Sequence, residues 1–327
     1  MPVYNAERYL AEAIDSIIGQ SFTNWELVVI NDGSTDNSEK IIQSFNDPRI
    51  KYYKNEQNIQ LIETLNRGIA LCSGKYIARM DADDIAHPHR LKKQVEAMEA
   101  DSRLTLCGTN AVVIDENGNE TGKIVNPGNN SFLQISLLFT NPFIHPSMMI
   151  RRDRLGDDRF NAEALHVEDF ELWTRLANRG RLANINRPLL KYRWHSSNVS
   201  VAHAKRQNEM KERIIGAQLD KQLNIAATDQ EISIHRLTFN LYEFGKKKNI
   251  SADKATEVAR WFRKLSGQNR KLRRFSPSDF EAFLWCRWIV LCVCFNKKSK
   301  VFFPDFVRFT PAVIFKTLKL VLYLSRK

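Results

Sequence analysis

Over the first 200 residues, apolar positions alternate between two patterns, helical spacing and short unbroken runs, and the elements follow from that alternation. Leu10, Ala13, Ile14, Ile17 and Ile18 fall on one face and predict an opening helix. The run Leu27-Val-Val-Ile30, inside residues 25–31, is the pattern of a strand buried on both faces. Asp32-Gly-Ser-Thr-Asp36 then turns the chain into a helix over residues 38–45. The unit repeats, with a strand at 49–54, a helix at 59–71 (Leu61, Ile62, Leu65 and Ile69 on one side) and a strand at 75–80. Strands alternating with helices predict an α/β fold, a mostly parallel sheet with right-handed crossovers and flanking helices.

Further on, residues 89–100 read as a helix, 104–114 as a strand leading to the turn Asn117-Gly-Asn119, and 142–149 as mixed strand and loop. A helix over about 167–179 and a closing strand over 188–194 complete the pattern. From about His203 only helical periodicity remains, broken by basic loops at 245–249, 267–274 and 296–300. The predicted division is therefore an α/β domain over 1–200 and a helical region over 201–327.

Charge sharpens that division. The net charge of +12 resides in the second part: residues 203–327 hold 26 Lys/Arg against 11 Asp/Glu, and the first 202 residues hold 23 against 26. A hydrophobic share of 43% with 26% charged residues excludes a disordered or fibrous chain. The five cysteines show neither disulfide pairing nor metal spacing and read as reduced core residues, and no secretion signal opens the chain, so a cytoplasmic location is expected.

The candidate chemistry is acidic. Lys75-Tyr-Ile-Ala-Arg-Met-Asp-Ala-Asp-Asp84 is a strand running into three carboxylates, and ligands of open α/β sheets bind at carboxyl ends of strands. Two like charges as close as Asp81 and Asp83 suit a divalent cation, Mn²⁺ or Mg²⁺, that bridges to substrate phosphates. Asp84 fits that site or a cap on the next helix. No Gly-rich phosphate loop is present. Asp32 ends its own strand in the same row, either to accept a hydrogen bond from a base N–H or to cap its turn. Glu168 and Asp169 open a helix, where one carboxylate suffices for the dipole, so one of the pair is free to act as general base. His195, after a strand end, is a third metal ligand or a surface residue, and His87 and His89 decorate a helix start.

With these residues in place, the first 200 positions resemble the family 2 glycosyltransferases, which have the GT-A fold. The matching pieces, in family order, are Pro2-Val-Tyr-Asn5, Asn31-Asp-Gly-Ser-Thr-Asp36, Leu65-Asn-Arg-Gly-Ile69, Gly74-Lys-Tyr-Ile-Ala-Arg-Met-Asp-Ala-Asp-Asp84, His145-Pro-Ser147, Glu168-Asp-Phe-Glu-Leu-Trp173 and Tyr192-Arg-Trp-His195. The resemblance implies inverting, metal-dependent transfer of a sugar from a nucleotide diphosphate donor, with a UDP-sugar foremost, to an acceptor hydroxyl of a glycan or lipid-linked glycan in bacterial surface polysaccharide assembly. It implies base and ribose contacts at Pro2, Tyr4 and Asp32, ribose and metal-diphosphate contacts at Asp81 and Asp83, a catalytic base at Asp169 and acceptor placement by Glu168. Two features depart from it. Many members carry an Arg where this chain has Leu65, and Arg67 lies about 200 degrees round the helix from that position. Relatives also have apolar residues ahead of the Pro-x-Tyr-Asn piece that form a central strand, so either the true start lies upstream or the sheet lacks most of that strand.

In the basic part, residues 280–295 are apolar but fall short of a membrane span and contain Arg287. Residues 301–327 combine Phe302, Phe303, Phe306, Phe309, Phe315, Leu318, Val321 and Leu322 with Lys316, Lys319, Arg326 and Lys327. That pattern suits a helix lying on an anionic membrane, here the inner face of the cytoplasmic membrane, or equally a helical subdomain with a solvated basic face. The alternative function class is a basic nucleic-acid-binding protein, or a non-catalytic glycan-binding protein on the same fold; basic residues interleaved with large apolar ones, and no nucleic-acid motif, argue against a nucleic-acid partner.

Overall fold

The protein is described from a computed structural model covering residues 1–194, 204–238, 252–294, 304–305 and 307–324. It comprises two compact units, one of Met1–Gly128 with Phe143–Gln207, the other of Asn129–Pro142 with Asn208–Arg326. Segment Asn129–Pro142, which lies within the first 200 residues of sequence, thus packs with the C-terminal helices.

The first unit opens with β1 (Pro2–Val3), α1 (Leu10–Ile18), β2 (Leu27–Asp32), α2 (Ser38–Ser44), β3 (Ile50–Asn55) and α3 (Leu61–Leu71). These strands form a parallel sheet, β1-β2-β3, with Pro2 opposite Ile30 and Leu27 opposite Ile50. Every residue of β2 is buried, as its unbroken apolar run requires. A second, mixed sheet contains β4 (Tyr76–Ala78), β5 (Ile85–Ala86), β6 (Leu104–Ile114), β7 (Glu120–Ile124), β8 (Met149–Arg151) and β9 (Arg181–Arg193), ordered β4-β8-β6-β9-β5 with β7 also on β6. β6 and β9 pair in parallel, and the other pairs are antiparallel. Helices α4 (Arg90–Ala100), the short α6 (Arg152–Leu155) and α7 (Glu168–Leu176) belong to this unit, and the alternation of strand and helix is that of the α/β fold expected.

Several boundaries differ from the sequence reading. The closing strand begins at Arg181 rather than 188, because β6 supplies a parallel partner along its whole length, and the register shifts where Pro188, which has no N–H to donate, faces Asn110. Helix α7 stops at Leu176. Residues 145–147 form a single 3-10 turn before β8.

Between the two sheets lies a cavity of about 470 Å³, lined by Met1, Pro2, Leu27 and Val28 on one side and Tyr76, Ile77 and Arg79 on the other. The amino group of Met1 donates to Val28 O at 2.8 Å. Among the described residues no strand bridges β2 and β4 across this gap.

The second unit is helical: α5 (Asn130–Ser136), α8 (Ala204–Leu223, whose first residues belong to the first unit), α9 (Asp229–Arg236), α10 (Ala252–Leu272), α11 (Pro277–Cys294) and α12 (Pro311–Leu324). Helix α9 starts in a capping box, with Glu231 N donating to Thr228 Oγ1 at 3.2 Å and Thr228 N to Glu231 Oε2 at 3.1 Å. A buried polar cluster ties its elements together. His235 Nε2 lies 2.8 Å from Leu138 O, and Trp261 Nε1 donates to His235 Nδ1 at 2.8 Å, which sets the imidazole tautomer; burial holds this ring far down, to about 3. The Arg287 guanidinium is 4.6 Å from the ring centres of both Phe139 and Phe283. Helix α10 passes straight through Gly267, where a loop was expected, since its apolar face (Val258, Trp261, Phe262, Leu265) stays buried up to that point. The expected loops at 245–249 and 296–300 lie outside the described residues. No helix among the described residues is long and apolar enough to cross a membrane.

Candidate active site

The site begins at the carboxyl end of β2. Gly33 has φ +71°, and a Cβ there would meet Asn58 N at 2.6 Å, so only glycine permits the turn that brings 57–59 against it. Asp32, buried, accepts from Ile59 N at 2.9 Å and Asn55 Nδ2 at 2.6 Å through Oδ1. Arg67 donates to Lys54 O at 2.9 Å and to Asn55 Oδ1. It therefore braces the residue that braces Asp32 and is committed there, not at the position of Leu65. Pro2 lies in β1 and Tyr4 stands half-exposed just past it. The loop after β1 is laced to the turn after β2: Thr35 N donates to Asn5 Oδ1 at 2.9 Å, Ala6 N to Ser38 Oγ at 2.9 Å and Glu7 N to Asp36 Oδ2 at 2.9 Å.

At the end of β4, Asp81, Asp83 and Asp84 each place a carboxylate oxygen within 4.8 Å of the others. Asp84 does not cap a helix: it is 1% exposed, Oδ1 accepts from Arg193 N at 2.8 Å, and Oδ2 is buried with no hydrogen-bond partner. Burial, then the carboxylates of Asp81 and Asp83, hold its acid well above the usual range. Arg193 closes the far side, donating to Asp83 O at 2.8 Å and Glu12 Oε2 at 2.6 Å. Arg79, almost fully buried, is ion-paired with Asp81. A clustered, oxygen-only donor set with an orphaned carboxylate oxygen fits a hard divalent ion.

The second acidic focus, at the first turn of α7, lies in the same field. Glu168 is 6% exposed and its acid is pushed up to about 7, first by burial and next by Asp169, with Arg79 pulling it down and Asp81 adding a smaller push. His145 Nδ1 is 4.0 Å from Glu168 Oε1. Burial and then Arg79 drive this histidine well below its usual range, so it is neutral and the contact is no ion pair. Its ring sits 5.5 Å from Phe160 and 5.9 Å from Trp173. Asp169 is half-buried and accepts from Phe170 N at 2.6 Å.

Arg79 thus acts on Asp81, Asp83, Asp84 and Glu168, with Asp169 beside Glu168, while Asp32 ends β2 and Pro2 and Tyr4 lie in and just past β1. His195 lies outside the described residues. Sequence reasoning passed over Arg79, although an arginine inside a buried apolar strand is itself a signal. Tyr192, whose hydroxyl is pushed up by burial and by Asp81, Asp84 and Asp83, and His145 were legible only as motif letters.

Residues 1–160 match the family model for glycosyl transferase family 2. An uncharacterized glycosyltransferase of Haemophilus influenzae is 34% identical over 259 residues, covering 76% of this chain and 80% of that protein. The O-antigen biosynthesis glycosyltransferase WbnJ of Escherichia coli is 34% identical over 202 residues, covering 60% and 78%. Among solved structures, residues 1–349 of S. aureus TarS in complex with UDP superpose with a TM-score of 0.55 at 16% identity, covering 99% of this chain and 90% of that one, a likeness of fold.

Proposed function

The chain belongs to glycosyltransferase family 2, and from that premise we propose that it moves a sugar from a UDP-sugar, with inversion, to a hydroxyl of a surface-polysaccharide or lipid-linked glycan. The UDP complex of TarS and the O-antigen role of WbnJ support the donor base and the acceptor class. The nucleic-acid and non-catalytic readings have no comparable support.

Asp32, Pro2 and Tyr4 bind the base and ribose, with Asp32 held in place by Asn55 and Arg67. Asp81 and Asp83, with the buried Asp84 beside them, would hold a divalent cation, which when bound offsets the charge of the leaving diphosphate. Asp169, half-buried at the first turn of α7, accepts the proton of the acceptor hydroxyl as that oxygen bonds to the anomeric carbon and the carbon–oxygen bond to the diphosphate breaks. Glu168, whose acid is pushed up to about 7, places the acceptor hydroxyl beside Asp169.

The observation that carries this reading is the cluster of Asp81, Asp83 and Asp84 oxygens within 4.8 Å of one another, in a chain whose residues 1–160 match the family 2 model. Release of nucleoside diphosphate from a panel of donors, with Mn²⁺ or Mg²⁺ and after chelation, tests it. Asp83→Ala is expected to abolish donor binding; Asp169→Ala should retain binding and lose turnover by about 10²- to 10⁴-fold. Full activity in both variants sinks the proposal.

A further inference from the structure

Helix α12 has two apolar faces and only one of them is covered. Val313, Thr317 and Leu320 are buried, with Thr317 Oγ1 on Ala282 O of α11 and Lys316 Nζ 2.6 Å from Asp279 Oδ1. On the other side Ile314 is 39% exposed, Phe315 69% and Leu318 57%, and Phe309, just ahead of the helix, is 38% exposed. At 100° per residue Val321, Ile314, Leu318 and Phe315 sweep roughly 120° of surface, with Lys319 at its border. A phenylalanine and a leucine bared side by side on a helix form a patch, and such patches mark interaction sites.

Charge decides the occupant. Residues 282–327 hold nine Lys/Arg, of which Arg287 is buried and Lys316 is paired with Asp279, and one acid, Asp305, which is paired with Arg263. Among the described residues the side chains of Arg308 and Lys319 have no carboxylate partner. A second copy of this chain would bring like charges together across the patch, and a phosphate backbone has no use for its apolar centre. An anionic lipid surface satisfies both, with headgroups for the cations and acyl chains for Phe315 and Leu318. At 14 residues α12 is too short to span, so it would lie flat.

We propose that the Ile314, Phe315 and Leu318 face of α12 docks the protein on anionic bilayers. The reading is independent of the transferase assignment. Full-length protein is floated with vesicles of phosphatidylcholine alone and of phosphatidylcholine and phosphatidylglycerol in equal parts, with circular dichroism and light scattering on each variant. The parent should partition onto the anionic vesicles and leave them as salt is raised. Phe315→Ser with Leu318→Ser should lower that partition at least about tenfold, and Lys319→Glu about fivefold on the anionic vesicles only. If the double change unfolds the chain, the charge reversal and the salt dependence carry the test. Absence of parental binding, equal binding of parent and variants, or a parental dimer that the double change splits without any vesicle affinity each overturns the proposal.

Discussion

Glu168 is the residue at which the fold and the chemistry pull hardest against each other. An unfolded glutamate titrates near 4.5, and here the acid is held up to about 7. Between those pH values the folded chain keeps a proton that the unfolded chain releases, so stability falls as pH rises through this window and levels off above it. The full penalty is on the order of 3 kcal/mol for this largely buried group. Glu168→Gln removes it: in metal-free buffer the gain in Tm over the parent should be larger near pH 8 than near pH 5, and an equal gain at both would show that the site does not hold the proton. The residue types were legible here, as tandem carboxylates before an apolar helix. Which of the two is buried was not, because that depends on His145 and Phe160, which arrive from other elements and pack against each other and against Trp173.

At the scale of elements, alternation of apolar runs and amphipathic helices was enough to place β2, β3, α1, α3 and α4. It was silent on β5, β7 and α5, which are short or polar and owe their form to neighbours. The gap between β2 and β4 is an element-scale feature that an added strand can probe. Two apolar, β-branched residues placed ahead of Met1 would continue the pairing of Pro2 with Ile30, opposite Val28 and Leu27, and enter the cavity. Such an extension is expected to raise Tm by roughly 2–4 °C, the response of a chain this size to about 1 kcal/mol. An unchanged Tm would mean that the slot does not accept a strand.

On the scale of the whole molecule, sequence order and packing order part company at 129–142. Helix α5 and the residues after it pack with the C-terminal helices, with Phe132 and Phe139 6.5 and 5.2 Å from Phe283 and Ser131 Oγ donating to Asp279 at 2.6 Å. Residues 1–207 expressed alone would bare Phe132, Ile135 and Phe139, and are expected to bind a hydrophobic dye and aggregate where the full chain does not. A monomeric, dye-silent fragment would show that 129–142 needs no partner.

By itself the sequence determined the α/β alternation, the family, the acidic pairs and the basic bias of the last third. Each of these is local, a matter of periodicity and of residues a few positions apart. Tertiary structure alone decided that Arg79 is shared by both acidic foci, that Asp84 bonds Arg193 and caps nothing, that Arg67 braces Asn55, and that α5 leaves the domain its position suggests. Burial and charge coupling act through space over a few ångströms, and no spacing along the chain encodes which distant residues will fall within that range.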